Sequence, residues 1–299
     1  MALNATRRDL SLLAAAACLA PLGLLARDRT LSVIAEVGAL TGEGFDKAVR
    51  EGADYLSVPI LSTRDGMLVA LSTPVLPAAW PLQSPQFALR KTTKTIGGRE
   101  SIGWFVEDFT LAELKALSPT ADPRRSGNTE PAILTLQEVI DIARAACIRT
   151  GRVVGLYVGC GQTSRVAGLE SPLEARLAEI IHAQGYNTPA AAMIVEAEDP
   201  DFLRALRHLT RVRRCLATSD DHLGPASLHA ARSVAEAISP TPRPPSAVVR
   251  EAHAAGLIVF LREEVSDRRR FDRLLASEPD GIIAASVGSA AHSRDLARP

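Results

Sequence analysis

The sequence has few cysteines, no excess of charge of either sign and only one long apolar run. Its four cysteines among 299 residues are too few and too scattered for a disulfide scaffold or a structural zinc site. Lysine and arginine total 34, as do aspartate and glutamate, so the chain lacks the basic excess of nucleic-acid-binding proteins and we expect no nucleic acid among its partners. With 46% hydrophobic and 23% charged residues, it is composed like a protein with a substantial buried core rather than a disordered one.

The apolar run lies at the N-terminus. It covers residues 10–26, follows the adjacent pair Arg7 and Arg8, and is shorter than the ~20 residues of a membrane-spanning helix. An arginine pair ahead of such a run resembles a twin-arginine export signal. We therefore predict that residues 1–29 direct export to the periplasm or out of the cell, and that the protein meets a membrane only through this segment. An uncleaved anchor and a buried helix are the alternatives, because the residues up to Ala26 make a poor cleavage site.

From residue 31 onward, segments with the pattern of strands alternate with segments with the pattern of helices. The strands are continuous apolar runs, as in a parallel sheet covered by helices. About eight or nine such units favour an α/β fold of the TIM (β/α)8-barrel type over an open sheet. Residues 30–299 are thus predicted to form one barrel domain. Residues 72–131, rich in proline, glycine, serine and threonine, are predicted to be an extra-barrel insertion after the third strand.

Several segments carry motifs that occur together in one family. The most specific is residues 102–115, Ile-Gly-Trp-Phe-Val-Glu-Asp-Phe-Thr-Leu-Ala-Glu-Leu-Lys. The other matching segments occur along the chain in the order of the family, at residues 52–56, 62–66, 134–140 and 251–257. Together they resemble the glycerophosphodiester phosphodiesterase family, especially its secreted bacterial branch, over residues 31–295. The resemblance implies a TIM barrel that hydrolyses glycerophosphodiesters to an alcohol and glycerol 3-phosphate. It also implies Ca²⁺ or Mg²⁺ held by carboxylates, with two histidines as acid and base.

The residues that the resemblance would assign to catalysis are replaced at seven positions near the strand ends. They are Glu36 and Val37 for His-Arg, Ser57 and Pro59 for the Glu-x-Asp metal pair, Ser72 for the second histidine, and Gly159 and Gly161 for Glu-x-Lys. A hard cation prefers carboxylate oxygens, and a positioned acid or base contributes ~10²–10⁴-fold to a rate. The sequence therefore predicts a barrel in which no family catalytic site is intact.

Two functional hypotheses follow, besides a different activity or a purely structural role on the same barrel. The first is a catalytically inactive family member that has no bound metal or other cofactor and is either a binding protein or a decaying copy; the resemblance implies a small phosphodiester or a phospholipid head group as the ligand of a binding protein. The second is an active phosphoric diester hydrolase with a rearranged acidic site, in which Glu36, Glu196 and Glu263 converge at the barrel mouth and bind a cation. Solvated glutamates on the rim would have the same sequence, so both hypotheses stay open at this point.

Overall fold

The computed structural model describes eight stretches of the chain, which contain the barrel and part of the predicted insertion. They are residues 31–77, 80–96, 98–117, 133–161, 172–219, 223–241, 243–263 and 274–296. The predicted export signal, residues 1–29, lies outside them. None of the helices in these stretches has the length and apolar character needed to cross a membrane.

Eight parallel strands in the described stretches close into a barrel, which confirms the predicted fold. They are β1 (Ser32–Glu36), β2 (Tyr55–Ser62), β6 (Gly155–Cys160), β7 (Met193–Ala197), β8 (Arg213–Thr218), β9 (Ala237–Pro240), β10 (Ile258–Arg262) and β11 (Gly281–Ala284). Each strand pairs with its neighbours in this order, and β1 pairs with both β2 and β11, which closes the ring. Most of their residues are buried, as expected where helices cover the outer face of a parallel sheet.

Helices cover the outside of the barrel. They are α1 (Gly42–Arg50), α4 (Leu136–Thr150), α5 (Leu173–Ala183), α6 (Pro200–Leu209), α7 (Pro225–Val234), α8 (Ser246–Ala254) and α9 (Val287–Leu296). Local sequence sets their ends. For example, α4 begins with a capping box between Thr135 and Glu138 and ends at Gly151, whose φ of 67° lies in the left-handed region. The apolar faces of the helices pack against outward-facing strand residues such as Leu56 and Val195.

Side chains alternate between the two faces of each strand, and this alternation determines which residues reach the barrel mouth. The interior is filled by Ile34, Tyr55, Tyr157, Ile194, Cys215, Ala237, Phe260 and Ile283. The next inward position on each strand lies two residues later, at the carboxyl end, where TIM barrels build their sites. On six strands it is occupied by Glu36, Ser57, Gly159, Glu196, Ser239 and Arg262.

The chain leaves the barrel between β2 and α4. This segment contains β3 (Leu68–Ala70), α2 (Pro85–Ala88), the hairpin of β4 (Thr92–Ile96) and β5 (Arg99–Gly103), a short 3₁₀ helix (Val106–Asp108) and α3 (Leu111–Leu117). β3 runs antiparallel to β2, so the third strand in chain order is not one of the eight parallel strands. The segment contributes most of a second hydrophobic core, whose largest members are Trp80, Phe87, Trp104 and Phe109.

Candidate ligand site at the barrel mouth

A cavity of about 780 Å³ opens at the carboxyl ends of the strands. This is where TIM barrels place their ligands, and the volume lies within the range of small-molecule pockets. Its described lining contains three carboxylates, one guanidinium and several hydroxyl groups. The lining residues are Glu36, Cys160, Gly161, Glu196, Ala197, Glu198, Ala217, Thr218, Ser219, Ser239, Thr241 and Arg262.

Arg262 lies between two glutamates of the mouth. Its Nη1 donates to Glu36 Oε1 at 2.7 Å, and its Nη2 lies 3.7 Å from Glu196 Oε2. The Glu36 side chain is 46% exposed and the Glu196 side chain 12%, so Glu36 belongs to the solvated rim and Glu196 lies deeper. The Arg262 guanidinium therefore partly neutralises the negative charges of Glu36 and Glu196 from within the protein.

Two hydroxyl groups fix the orientation of Glu196. Tyr157 Oη donates to Glu196 Oε1 at 2.8 Å, and Ser239 Oγ donates to the same oxygen at 2.5 Å. Burial, together with the nearby Cys215 and Glu196, raises the pKa of Tyr157 well above its usual value, so its hydroxyl stays protonated and remains a donor. The Tyr157 ring packs edge-on against Phe260 at 5.7 Å between centroids. Glu196 is thus held by groups that are themselves fixed by packing.

The two cysteines near this site are poor nucleophiles. Cys160 and Cys215 are both buried, and burial raises the pKa of each thiol well above its usual value, with the charge of Glu196 adding to the effect. Because the thiolate is the reactive form of cysteine, neither side chain provides an activated sulfur to the mouth.

The neighbouring strands β2 and β6 contribute no charge to the mouth. The strand register places Ser57 beside Glu36, Pro59 beside Gly159, and Gly159 beside Glu196. A Cβ atom built on Gly159 would lie 3.7 Å from Pro59 Cα and 3.8 Å from Glu196 Oε2. These are ordinary contact distances, so the absent side chain leaves open space beside this oxygen.

Three further positions singled out from the sequence have different surroundings. Gly161 lines the cavity. Val37 packs against the outer core between strands and helices. Ser72 is exposed and is not among the described lining residues. Of the seven replaced positions, two line the described cavity, Glu36 and Gly161. Three lie beside the mouth residues in the strand register, Ser57, Pro59 and Gly159, and Val37 and Ser72 lie elsewhere.

Glu263 does not join Glu36 and Glu196. It follows Arg262 directly, so side-chain alternation directs it away from the mouth, and it is absent from the described cavity lining. It is 6% exposed, and neither carboxylate oxygen has a partner at hydrogen-bonding distance and angle within the described stretches. Burial raises the pKa of Glu263 to about 6, and the nearby backbone of Ser286 offsets this only in part.

The described mouth residues do not fit Ca²⁺ or Mg²⁺. Such cations take six or more oxygen ligands, usually with carboxylates among them. The side chains of Ser57, Pro59 and Gly159 include no carboxylate. The Glu36 carboxylate is paired with Arg262. Within the residues that the structure describes, no group of three or more His, Cys, Asp or Glu side chains could hold a metal ion.

Sequence reasoning missed three residues of this site: Arg262, Tyr157 and Ser239. Each is a polar residue in or at the end of an apolar strand, and Arg262 stands two residues after Phe260, which points inward. Strict alternation along each predicted strand would have placed all three inside the barrel. The alternation of side chains therefore pointed to these three residues. A comparison with catalytic motifs alone did not reveal them, because it does not consider which strand residues face inward.

Several known proteins are similar to this chain. A glycerophosphodiester phosphodiesterase from Arabidopsis thaliana is 36% identical over 123 residues, which are 39% of this chain and 32% of that protein. The matched region is thus about a third of the length of this relative.

Solved structures match nearly the whole fold. A glycerophosphoryl diester phosphodiesterase from Silicibacter pomeroyi has a TM-score of 0.64 at 17% identity and covers 89% of this chain and 94% of its own. A phosphodiesterase from Oleispira antarctica, in complex with the product sn-glycerol-3-phosphate, has a TM-score of 0.62 at 15% identity and covers 89% and 97%. At these identities the likeness establishes the barrel fold.

The family profile extends further along the sequence than the curated relative. The profile of the glycerophosphoryl diester phosphodiesterase family matches residues 40–288. This range begins after β1, contains the whole inserted segment and ends in α9, so it covers most of the chain. The chain therefore belongs to the glycerophosphoryl diester phosphodiesterase family.

Proposed function

We infer that this chain is a catalytically inactive member of its family and that it binds a small ligand in the barrel mouth. The observation that carries this inference is the ion pair between Arg262 and Glu36, formed next to strands that present Ser57, Pro59 and Gly159. The positive charge of the described lining is thus already paired within the protein, and strands β2 and β6, where the family resemblance would place metal ligands, provide no carboxylate.

The charge of the mouth is unsuited to phosphodiester hydrolysis. That reaction needs a positioned acid and base and positive charge near the phosphoryl oxygens, where negative charge develops. The described lining opposes three carboxylates to a single guanidinium and includes no histidine. A phosphodiester entering this cavity would meet more negative than positive charge among the described lining residues, and the guanidinium of Arg262 is already partly neutralised by Glu36.

The cavity itself supports a binding role. Its volume of about 780 Å³ suits a small molecule, and hydrogen bonds hold Glu196 and Arg262 in place around it. The Oleispira antarctica phosphodiesterase of the same fold was solved with sn-glycerol-3-phosphate, which supports a small ligand for this chain as well.

A coupled assay tests the proposal. Purified protein is supplied with glycerophosphocholine and millimolar Ca²⁺ or Mg²⁺, and the release of glycerol 3-phosphate is followed with glycerol-3-phosphate dehydrogenase. We expect the same rate as in the buffer blank and the same rate for Glu196→Gln. Turnover above the blank would refute inactivity.

Active hydrolysis through a rearranged acidic site is the second candidate. It is favoured by the finding that Glu36 and Glu196 do share one mouth. Under this alternative, wild-type turnover would be lost in both Glu36→Gln and Glu196→Gln, and Glu179→Gln, an exposed change on the outer helix α5, would leave it intact. That pattern would replace the first proposal with the second.

A further inference from the structure

Glu196 and Arg262 present a hydrogen-bond acceptor and a donor to the same part of the cavity. Glu196 Oε1 already accepts from Tyr157 and Ser239. Glu196 Oε2 has no hydrogen bond from any described residue, and the nearest charged group to it is Arg262 Nη2 at 3.7 Å. This separation exceeds a hydrogen bond. One oxygen and one N–H group are therefore left for a ligand.

A hydroxyl group matches this pair. The two atoms are close enough for one oxygen atom to lie about 2.8 Å from both. Such an oxygen must donate a proton to Glu196 Oε2 and accept one from Arg262 Nη2, and a hydroxyl does both. A phosphate oxygen can accept from Arg262 but has no proton for Glu196, and an ammonium group can donate but cannot accept.

Gly159 provides the room for this contact. A Cβ atom at this position would lie 3.8 Å from Glu196 Oε2, so a methyl group there would cover part of the surface of that oxygen. Further hydroxyl side chains, Ser219 and Thr241, lie on the exposed part of the same lining. They extend the hydrogen-bonding surface beyond the first pair without adding charge.

The charge of the lining selects against anions. Among the described lining residues three are carboxylates, Glu36, Glu196 and Glu198, and one, Arg262, is a cation, which already donates to Glu36. We propose that the mouth binds an uncharged polyhydroxylated molecule, a polyol or a sugar, in preference to a phosphorylated one, with one ligand hydroxyl bridging Glu196 Oε2 and Arg262 Nη2. This rests on the proposed function, since it names the ligand class of the same mouth.

Saturation-transfer NMR with defined probes tests the ligand class. Xylitol and D-glucose are the neutral probes, and glycerol 3-phosphate and glycerophosphocholine are the phosphorylated ones. We expect saturable binding of at least one neutral probe, and affinity at least tenfold weaker for both phosphorylated probes. The dissociation constants are then compared among the wild type, Glu196→Gln, Gly159→Ala and the control Glu179→Gln.

The variants separate the two features of the site. In Glu196→Gln the amide oxygen can still accept from Tyr157 and Ser239, so its NH₂ group faces the ligand and a donor replaces the acceptor. In Gly159→Ala the charges are unchanged and a methyl group narrows the approach at ordinary contact distance, so the variant should fold even if Glu196→Gln does not. Each should weaken binding of the neutral probe at least tenfold, whereas Glu179→Gln should leave it unchanged.

The contrary outcomes have distinct meanings. Tighter binding of glycerol 3-phosphate than of xylitol and D-glucose would overturn the ligand class and leave catalytic inactivity standing. Absence of binding by both neutral probes, or equal binding by the wild type and Gly159→Ala, would overturn it as well. Release of glycerol 3-phosphate from glycerophosphocholine would instead overturn the proposed function.

Discussion

Glu263 is a buried carboxylate whose charge the described surroundings compensate only in part. Its pKa is raised to about 6 in the folded protein, above the ~4.3 of an unperturbed glutamate. The folded state therefore binds this proton more tightly than the unfolded state does. The contribution of Glu263 to stability is favourable at low pH and declines as the pH rises from about 4.5 through 6.

Glu263→Gln should consequently stabilise the protein at neutral pH. The neutral amide avoids the cost of a buried charge, so we expect the free energy of unfolding at pH 7.5 to rise by about 1–2 kcal/mol. At pH 4, where Glu263 is protonated, the increase in the free energy of unfolding should shrink to about a few tenths of 1 kcal/mol. Urea denaturation at the two pH values measures it, with the exposed Glu179→Gln as control. A gain that is equal at both pH values would show that charge burial is not its cause.

At the scale of single residues, the sequence indicated which residues lie at the strand ends, but it did not indicate which of them contact one another. Glu36, Ser57, Pro59, Gly159 and Glu196 were recognised as strand-end residues, and the structure places all of them on adjoining strands at the mouth. The partner that determines their electrostatics, Arg262, lies more than 200 residues from Glu36 in sequence. Only closure of the barrel brings the two together, so motif comparison alone could not reveal the ion pair.

At the scale of elements, the inserted segment contains a half-buried ion pair, Arg90 with Glu113, next to two aromatic rings. Arg90 donates to both carboxylate oxygens of Glu113 at 3.1 and 2.9 Å, and its guanidinium lies 5.1 Å from the ring centroids of Phe87 and Phe109. The bond from Arg90, helped by the Thr110 amide, lowers the pKa of Glu113 to about 2. Glu113 therefore contributes stability that is present above pH 4.5 and is lost as the pH falls towards 2.

Glu113→Gln should loosen this segment. We expect a loss of about 1–2 kcal/mol at pH 7, because the charge-assisted bonds to Arg90 become neutral. The chain has two tryptophans, Trp80 and Trp104, and both belong to the second core, so intrinsic fluorescence during urea unfolding reports on this segment.

The matched control for this prediction is Arg64→Gln. Arg64 also contacts Glu113, at 3.3 Å, but its side chain is 51% exposed. Exposed ion pairs contribute little, so the control should shift the transition by less than about 0.5 kcal/mol. Equal shifts in the two variants would contradict a stabilising role of the Arg90–Glu113 pair beyond that of an exposed ion pair.

The elements themselves were predicted well where hydrophobic periodicity was strong. The eight barrel strands agree with the apolar patterns of the sequence. The hairpin β4–β5 and the helix α9 were not predicted. The hairpin strands are mostly exposed and polar, and α9 is rich in small residues with a weak apolar face, so neither shows the periodicity on which such predictions depend.

At the scale of the whole molecule, export remains a prediction about residues 1–29. Those residues lie outside the described stretches, and the expectation depends on Arg7, Arg8 and the apolar run after them. A reporter fused after Arg29 should leave the cytoplasm, and replacing both arginines by lysine should retain it there while keeping the positive charge. Cytoplasmic retention of the unmodified fusion would contradict the prediction.

The barrel has a well-packed core. In the described part of its mouth, Arg262 pairs with Glu36, so this carboxylate is not open to a cation. A ligand that binds only the folded state stabilises it by RT ln(1 + [L]/Kd), about 2.7 kcal/mol at a hundredfold excess over Kd. For a chain of this size such binding would raise the melting temperature by several degrees.

The melting temperature with millimolar Ca²⁺ or Mg²⁺, compared with that in chelator, tests this account most directly. The ion pair of Arg262 with Glu36 and the absence of carboxylates at Ser57, Pro59 and Gly159 predict the same melting temperature in all three conditions. A rise of several degrees with either cation that disappears in Glu36→Gln would contradict the account and show that the mouth is a metal site.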